Sequence, residues 1–109
     1  MVRTEAEIAA AVNSFVNVLL KTIPVEQVIF FGSYAEGNPH SESDIDVAVV
    51  SPVFGTNPWE DRKRLYQAII FNDLDPLIEP HPFSSLSVQS QSPLLAEVMR
   101  KGKTIYPSS

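Results

Sequence analysis

Phe30-Phe31-Gly32-Ser33-Tyr34-Ala35-Glu36-Gly37, followed by Ser43-Asp44-Ile45-Asp46-Val47-Ala48-Val49-Val50, is the stretch whose reading decides the fold. Val25 to Phe31 reads as a buried strand, because a short run rich in β-branched and aromatic residues ends abruptly at a glycine. From Asp44 to Val50 β-branched residues dominate again, so the segment between is a tight Gly-Ser turn and one short helical turn or loop joining two strands. Asp44 and Asp46 are two residues apart and fall on one face of the second strand. Two carboxylates beside each other on a buried strand repel and lose hydration, and a bound Mg²⁺ is the natural compensation. Ser33 follows Gly32 where successive backbone N–H groups open towards solvent, and a turn leading into a helix start attracts phosphate. A phosphate cradle and metal-binding carboxylates are therefore expected to face one cleft.

The pattern Gly32-Ser33, ten residues, Asp44-x-Asp46 resembles the nucleotidyltransferase superfamily of DNA polymerase β. By its small size the chain is most similar to the minimal nucleotidyltransferases that pair with HEPN-domain proteins. The resemblance implies a nucleotidyltransferase fold of α/β class, with a small mixed sheet packed against helices. It also implies that Gly32 and Ser33 hold a nucleotide triphosphate and that Asp44 and Asp46 ligate catalytic metals. Gly37 and Ser43 match the second glycine of the turn and the serine before the first aspartate. Many members carry Arg after the Gly-Ser pair, where this chain has Tyr34.

At 109 residues the chain is expected to be one domain, 1–109, large enough for a single core. It has no cysteine, which excludes disulfides and thiolate metal sites and suits a reducing cytoplasm. No apolar run approaches membrane-spanning length and no signal-like leader is present, so a cytoplasmic protein without a membrane partner is expected. A formal charge of −5 argues against extended nucleic-acid binding, which needs clustered Lys and Arg. The one basic cluster, Arg62-Lys63-Arg64, reads as a solvated helix face, with a phosphate or partner contact as the alternative.

Thr4 and Glu7 have the form of a capping box, and Ile8, Val12, Phe15 and Leu19 recur at helical spacing, which predicts a helix over 4–22. Pro24 sets the entry to the first strand. The proline-rich loop 51–58 follows the second strand and reads as a connector or as a lid over the cleft. A second helix runs from Trp59 to about Asn72, with Trp59 expected in the core. Residues 75–83 read as an edge strand interrupted by prolines, on which Asp75, Leu77, Glu79 and His81 alternate to one face. A serine-rich loop at 84–92 leads to a third helix over 92–101, closed by Gly102, and a short strand at 103–106.

Nucleotidyl transfer through two Mg²⁺ ions wants a third carboxylate. The resemblance implies Glu79, since the family carries its third acidic residue on the strand after the second long helix, although Asp is more usual there, and Asp75 on the same face is the alternative. His81, on the face of Glu79, reads as a surface histidine or as a contact to the phosphates or the acceptor, His40 reads as a surface histidine, and two isolated histidines without cysteine do not make a zinc site. The resemblance then implies an enzyme that transfers AMP from ATP to an acceptor hydroxyl. The competing reading is an antitoxin-like module that neutralises a HEPN partner by occlusion. So short a chain leaves no room for a separate acceptor domain, so a HEPN-domain protein or a second copy is expected to complete the site. Contacts are expected from the loop 51–58 and from Glu79 to Phe83.

Overall fold

The computed structural model describes residues 2–108. Element order is α1 (Glu5–Thr22), β1 (Gln27–Phe31), β2 (Ile45–Ser51), α2 (Pro58–Phe71), β3 (Ile78–Ser84), α3 (Ser85–Gln89), α4 (Pro93–Lys101) and β4 (Lys103–Tyr106). The strands form one four-stranded sheet in the order β3-β2-β1-β4. β1 runs antiparallel to β2 and to β4, whereas β3 runs parallel to β2, so the sheet is mixed. The parallel pair needs a crossover, and α2 supplies it. This is the α/β arrangement expected from the alternation of elements.

Both faces of the sheet are covered. Val28, Ile45, Val47, Val49 and Ile78 pack with Ile8, Val12, Phe15, Leu19, Leu65 and Ile69 of α1 and α2. On the other face Ile29, Ala48 and Val50 pack with Leu95 and Val98 of α4. The two-residue period of a strand explains the split, since Val47 and Val49 point one way and Ala48 and Val50 the other. From Val47 to Ser51 every residue of β2 is buried, as a central strand between two helical layers requires.

α1 starts as its sequence specifies. Thr4 accepts from the Glu7 amide at 3.2 Å and the Glu7 side chain accepts from the Thr4 amide at 2.8 Å, a complete capping box. The edge position of β3 accommodates Pro80 and Pro82, which have no N–H to give to a further strand. Gly102 does cap α4, but its backbone is extended, with φ −93°. A Cβ there would lie 2.7 Å from the Phe30 carbonyl and from Ile29, so glycine is required by close approach of the chain to β1.

Three expectations are corrected. Trp59 is 72% exposed: α2 buries Leu65 and Ile69, and Trp59 lies about 120° round the helix from Leu65. The serine-rich segment is not a plain loop, because Ser84 caps the short helix α3 and Ser92 caps α4. The loop 51–58 does not overhang the cleft. It leaves the far end of β2 from Asp46, about 15–20 Å along the strand, and is tied down by buried Phe54 and by the Gly55 amide donating to Asp61 at 2.9 Å.

Candidate active site

Gly32 ends β1 with φ +88°, a conformation that favours glycine. The antiparallel register sets Phe31 opposite Asp46, and a Cβ on Gly32 would lie 2.1 Å from Asp46 Oδ2. Two independent constraints thus fix glycine here, backbone conformation and contact with the carboxylate. Beyond it the chain makes a helical turn: the Glu36 amide donates to Gly32 O at 3.0 Å and the Asn38 amide to Ser33 O at 3.0 Å. The amides of Ser33, Tyr34 and Ala35 precede that turn and have no acceptor among the described residues, as at the start of any helix. Such amides suit an anion.

Ser43 holds the turn to the acids. It is buried, accepts from the Ser33 hydroxyl at 2.8 Å and from the His40 amide at 2.9 Å, and donates its own amide to His40 O at 3.0 Å. The sequence motif thus has a physical basis: Ser33 and Ser43, ten positions apart, are the two ends of one hydrogen bond. Gly37 also takes a positive φ, +80°.

β3 lies parallel to β2 with Glu79 opposite Asp46 and His81 opposite Ala48. Glu79 faces Asp46 directly and His81 reaches it diagonally, so all three share the α4 face of the sheet. His81 Nε2 lies 3.1 Å from Asp46 Oδ1 and 3.9 Å from Glu79 Oε1. Its ring packs against Phe31 with centroids 5.1 Å apart. Asp44 stands just before β2, exposed, and its carboxylate is the main reason the Glu79 carboxyl holds its proton above the usual glutamate range, with burial second and Asp46 adding to it.

Of the two candidates for a third carboxylate, only Glu79 is in this cluster. Asp75 precedes β3 and does not share the face of Glu79. It accepts from Arg3 Nε at 2.9 Å and Nη2 at 3.0 Å and from the Leu77 amide at 2.9 Å. Those bonds, Arg3 first, hold its carboxyl below the usual aspartate range. His81, read from sequence as a surface residue or a contact to the phosphates or the acceptor, is instead part of the acidic cluster. The signal that pointed to it was its two-residue offset from Glu79 on an extended segment.

The donor set fits a divalent cation. Asp46, Glu79 and His81 each offer one ligand atom, and these atoms all lie within 4.8 Å of one another. Asp44 and Asp46 both favour the protonated form of Glu79, Asp44 chiefly through a hydrogen bond to its carboxyl, and a cation bound by these carboxylates would favour the charged form instead. A cavity of about 640 Å³, lined by Ile8, Val12, Phe30, Tyr34 and Ile105 among others, lies behind the Gly-Ser turn on the α1 face. It holds none of Asp46, Glu79 and His81, which lie on the α4 face. Arg62, Lys63 and Arg64 are exposed on α2, as a solvated helix face would be. Among the described residues no helix is long and apolar enough to cross a membrane.

Comparison with known proteins agrees with this geometry. Residues 13–109 match the family model described as Polymerase beta, Nucleotidyltransferase. The chain is 32% identical over 97 residues to the protein adenylyltransferase MntA of Shewanella oneidensis, covering 86% of this chain and 63% of that protein's length. A crystal structure of a toxin–antitoxin with AMP-PNP is similar over 89% of this chain and 73% of its own, at 26% identity and a TM-score of 0.57. The toxin–antitoxin MntA–HepT shares the fold, with a TM-score of 0.53 at 22% identity over 92% of this chain and 73% of its own. A turn that joins Gly32 and Ser33 to Asp46 on a mixed sheet, within a family match that spans most of the sequence, places this chain in the polymerase β nucleotidyltransferase family.

Proposed function

We propose that this chain transfers AMP from ATP to a hydroxyl group of a partner protein, releasing pyrophosphate. The observation that carries the reading is the contact of Gly32 with Asp46, which leaves no room for a side chain between phosphate turn and carboxylate. The amides of Ser33, Tyr34 and Ala35 would take the triphosphate, and the Ser33–Ser43 hydrogen bond keeps that turn against β2. Asp44, Asp46 and Glu79 would hold the divalent cations, Mg²⁺ in this reading. When bound, such ions neutralise the triphosphate and activate the attacking hydroxyl. In the transfer the acceptor oxygen bonds to the α-phosphorus as the bond to the bridging oxygen breaks, and the hydroxyl proton passes to water. The protein contributes position and charge rather than a covalent intermediate.

The likeness to MntA, named a protein adenylyltransferase, and to toxin–antitoxin structures supports a HEPN-type protein as acceptor. The position of Glu79 also supports a docked acceptor: it lies on the edge strand of the sheet, open to an incoming chain. The test is intact mass spectrometry of a HEPN partner incubated with the chain, ATP and Mg²⁺. An AMP adduct on the partner is expected, and it should disappear with Gly32→Ala. A partner inhibited by stoichiometric complex formation and left unmodified would replace transfer with occlusion.

A further inference from the structure

The acidic cluster contains one group that the three-carboxylate reading does not use, the imidazole of His81. It rests on the metal reading of the site above, and concerns which ion the site prefers. His81 Nε2 stands 3.1 Å from Asp46 Oδ1 and 3.9 Å from Glu79 Oε1. Two ligands of an ion that binds at about 2.1 Å are about 3 Å apart at right angles and about 4.2 Å apart when opposite. The Asp46 separation therefore matches adjacent ligands, and the Glu79 separation falls between the two limits, within the span of atoms sharing one ion. The ring is also held in place. Phe31 packs on it at 5.1 Å, tilted by 58°, and Phe31 is the residue before Gly32, so the phosphate turn and the imidazole are fixed by one strand end. Pro80 and Pro82 flank His81 and restrict the backbone that presents it.

We propose that His81 is a direct ligand of the divalent cation, through Nε2, making the site a mixed carboxylate–imidazole set with Asp46 and Glu79. Mg²⁺ favours an all-oxygen shell, whereas first-row transition ions accept imidazole nitrogen readily. The site then binds Mn²⁺ more tightly than Mg²⁺, and the nitrogen is what separates the two. A histidine that only hydrogen-bonds Asp46 would orient that carboxylate for either ion alike and would leave no nitrogen on the metal.

Mn²⁺ alone, without nucleotide, is the probe, since it is visible to electron spin resonance and adenine nitrogens are kept out. Electron-spin-echo spectra of the Mn²⁺-loaded protein should carry nitrogen modulation from a directly bound imidazole, and His81→Gln should remove it. Calorimetric titration should give Mn²⁺ affinity at least about tenfold above Mg²⁺ in the unaltered chain. His81→Gln should narrow that ratio to near unity by weakening Mn²⁺. Bound Mn²⁺ without nitrogen modulation in the unaltered protein would overturn the assignment and leave the metal site standing. Modulation that persists in His81→Gln would assign the nitrogen elsewhere and overturn it equally. Absence of any Mn²⁺ binding would overturn the metal reading on which the assignment rests. The spectrum of the unaltered protein decides the matter even if the variant folds poorly.

Discussion

Asp75 and Glu79 are four residues apart, and the fold treats them in opposite ways. Asp75 meets a guanidinium and a backbone amide, so its carboxyl is held below the ordinary range, with Arg3 the largest cause. Glu79 meets Asp44 and Asp46, so its carboxyl is held above the ordinary range, Asp44 first. The first acid is already paired by a cation from the protein and serves the fold, tying the N-terminal residue Arg3 to the entry of β3. The second has no guanidinium or ammonium beside it among the described residues; its neighbours are the carboxylates of Asp44 and Asp46 and the imidazole of His81, where β2 and β3 meet. Where a protein leaves charge uncompensated is therefore a better guide to its chemistry than where acids are numerous.

The largest expected effect is at the hub of the unpaired group. Asp46→Asn should lower nucleotide transfer by about 10³-fold, corresponding to about 4 kcal/mol of transition-state stabilisation through the metal. Far-ultraviolet circular dichroism should show the fold retained. An active Asp46→Asn variant would break the comparison at its root. Glu79→Gln should cost about 10²-fold in turnover and less in ATP affinity, while its metal-free melting temperature holds or rises as repulsion with Asp44 is removed. Asp75→Asn should reverse that pattern, with turnover within about twofold of the unaltered chain. Its melting temperature should fall, because Arg3 loses its partner. A larger loss of turnover from Asp75→Asn than from Glu79→Gln would exchange the two roles.

The smallest expected effect is in the pH dependence of stability, where the two acids give opposite slopes. The Asp75 carboxyl is depressed on folding, so its contribution is complete above the ordinary aspartate value of 3.8 and is lost as pH falls through the folded value. The Glu79 carboxyl is raised, so the folded state gains from its protonated form, and stability declines as pH rises from the ordinary value of 4.5 to the folded one. Thermal melts of Asp75→Asn and Glu79→Gln between pH 3 and 7 separate the contributions by the sign of each slope. Saturating divalent cation should remove the Glu79 slope and leave that of Asp75. Slopes of the same sign would contradict the assignment of opposite environments.

Much of this was legible before any coordinates. The capping box at Thr4 and Glu7, the strand that stops at Gly32, the strand rich in valine after Asp46 and the glycine that closes the last helix are local features, written in residues that interact within a few positions. The family pattern was legible for a related reason, since Ser33 and Ser43 lie on either side of one connection and are bonded to each other across it. The serine-rich segment hid two local caps, Ser84 and Ser92, whereas the readings of Trp59 and of loop 51–58 required knowing which elements are neighbours. The sequence places Trp59 in the core, but the apolar face of α2 is set by where α1 and the sheet lie. Loop 51–58 was read at the cleft, although antiparallel pairing of β1 with β2 sends it to the opposite end.

The sequence by itself determined most of the element types, the strand end at Gly32 and the placing of Asp44 and Asp46 at the start of the next strand, because these depend on local backbone preference and on residue spacing; between Glu79 and Asp75 it left the choice open. Tertiary structure alone decided that Arg3 neutralises Asp75 across 72 positions and that His81 meets Asp46 across 35. Neither partner carries a sequence signal for the other, since the contacts arise from the parallel register of β3 on β2 and from the return of the chain's first residues to β3. A carboxylate's charge state is set by what surrounds it in space, and that is fixed only once the sheet has formed.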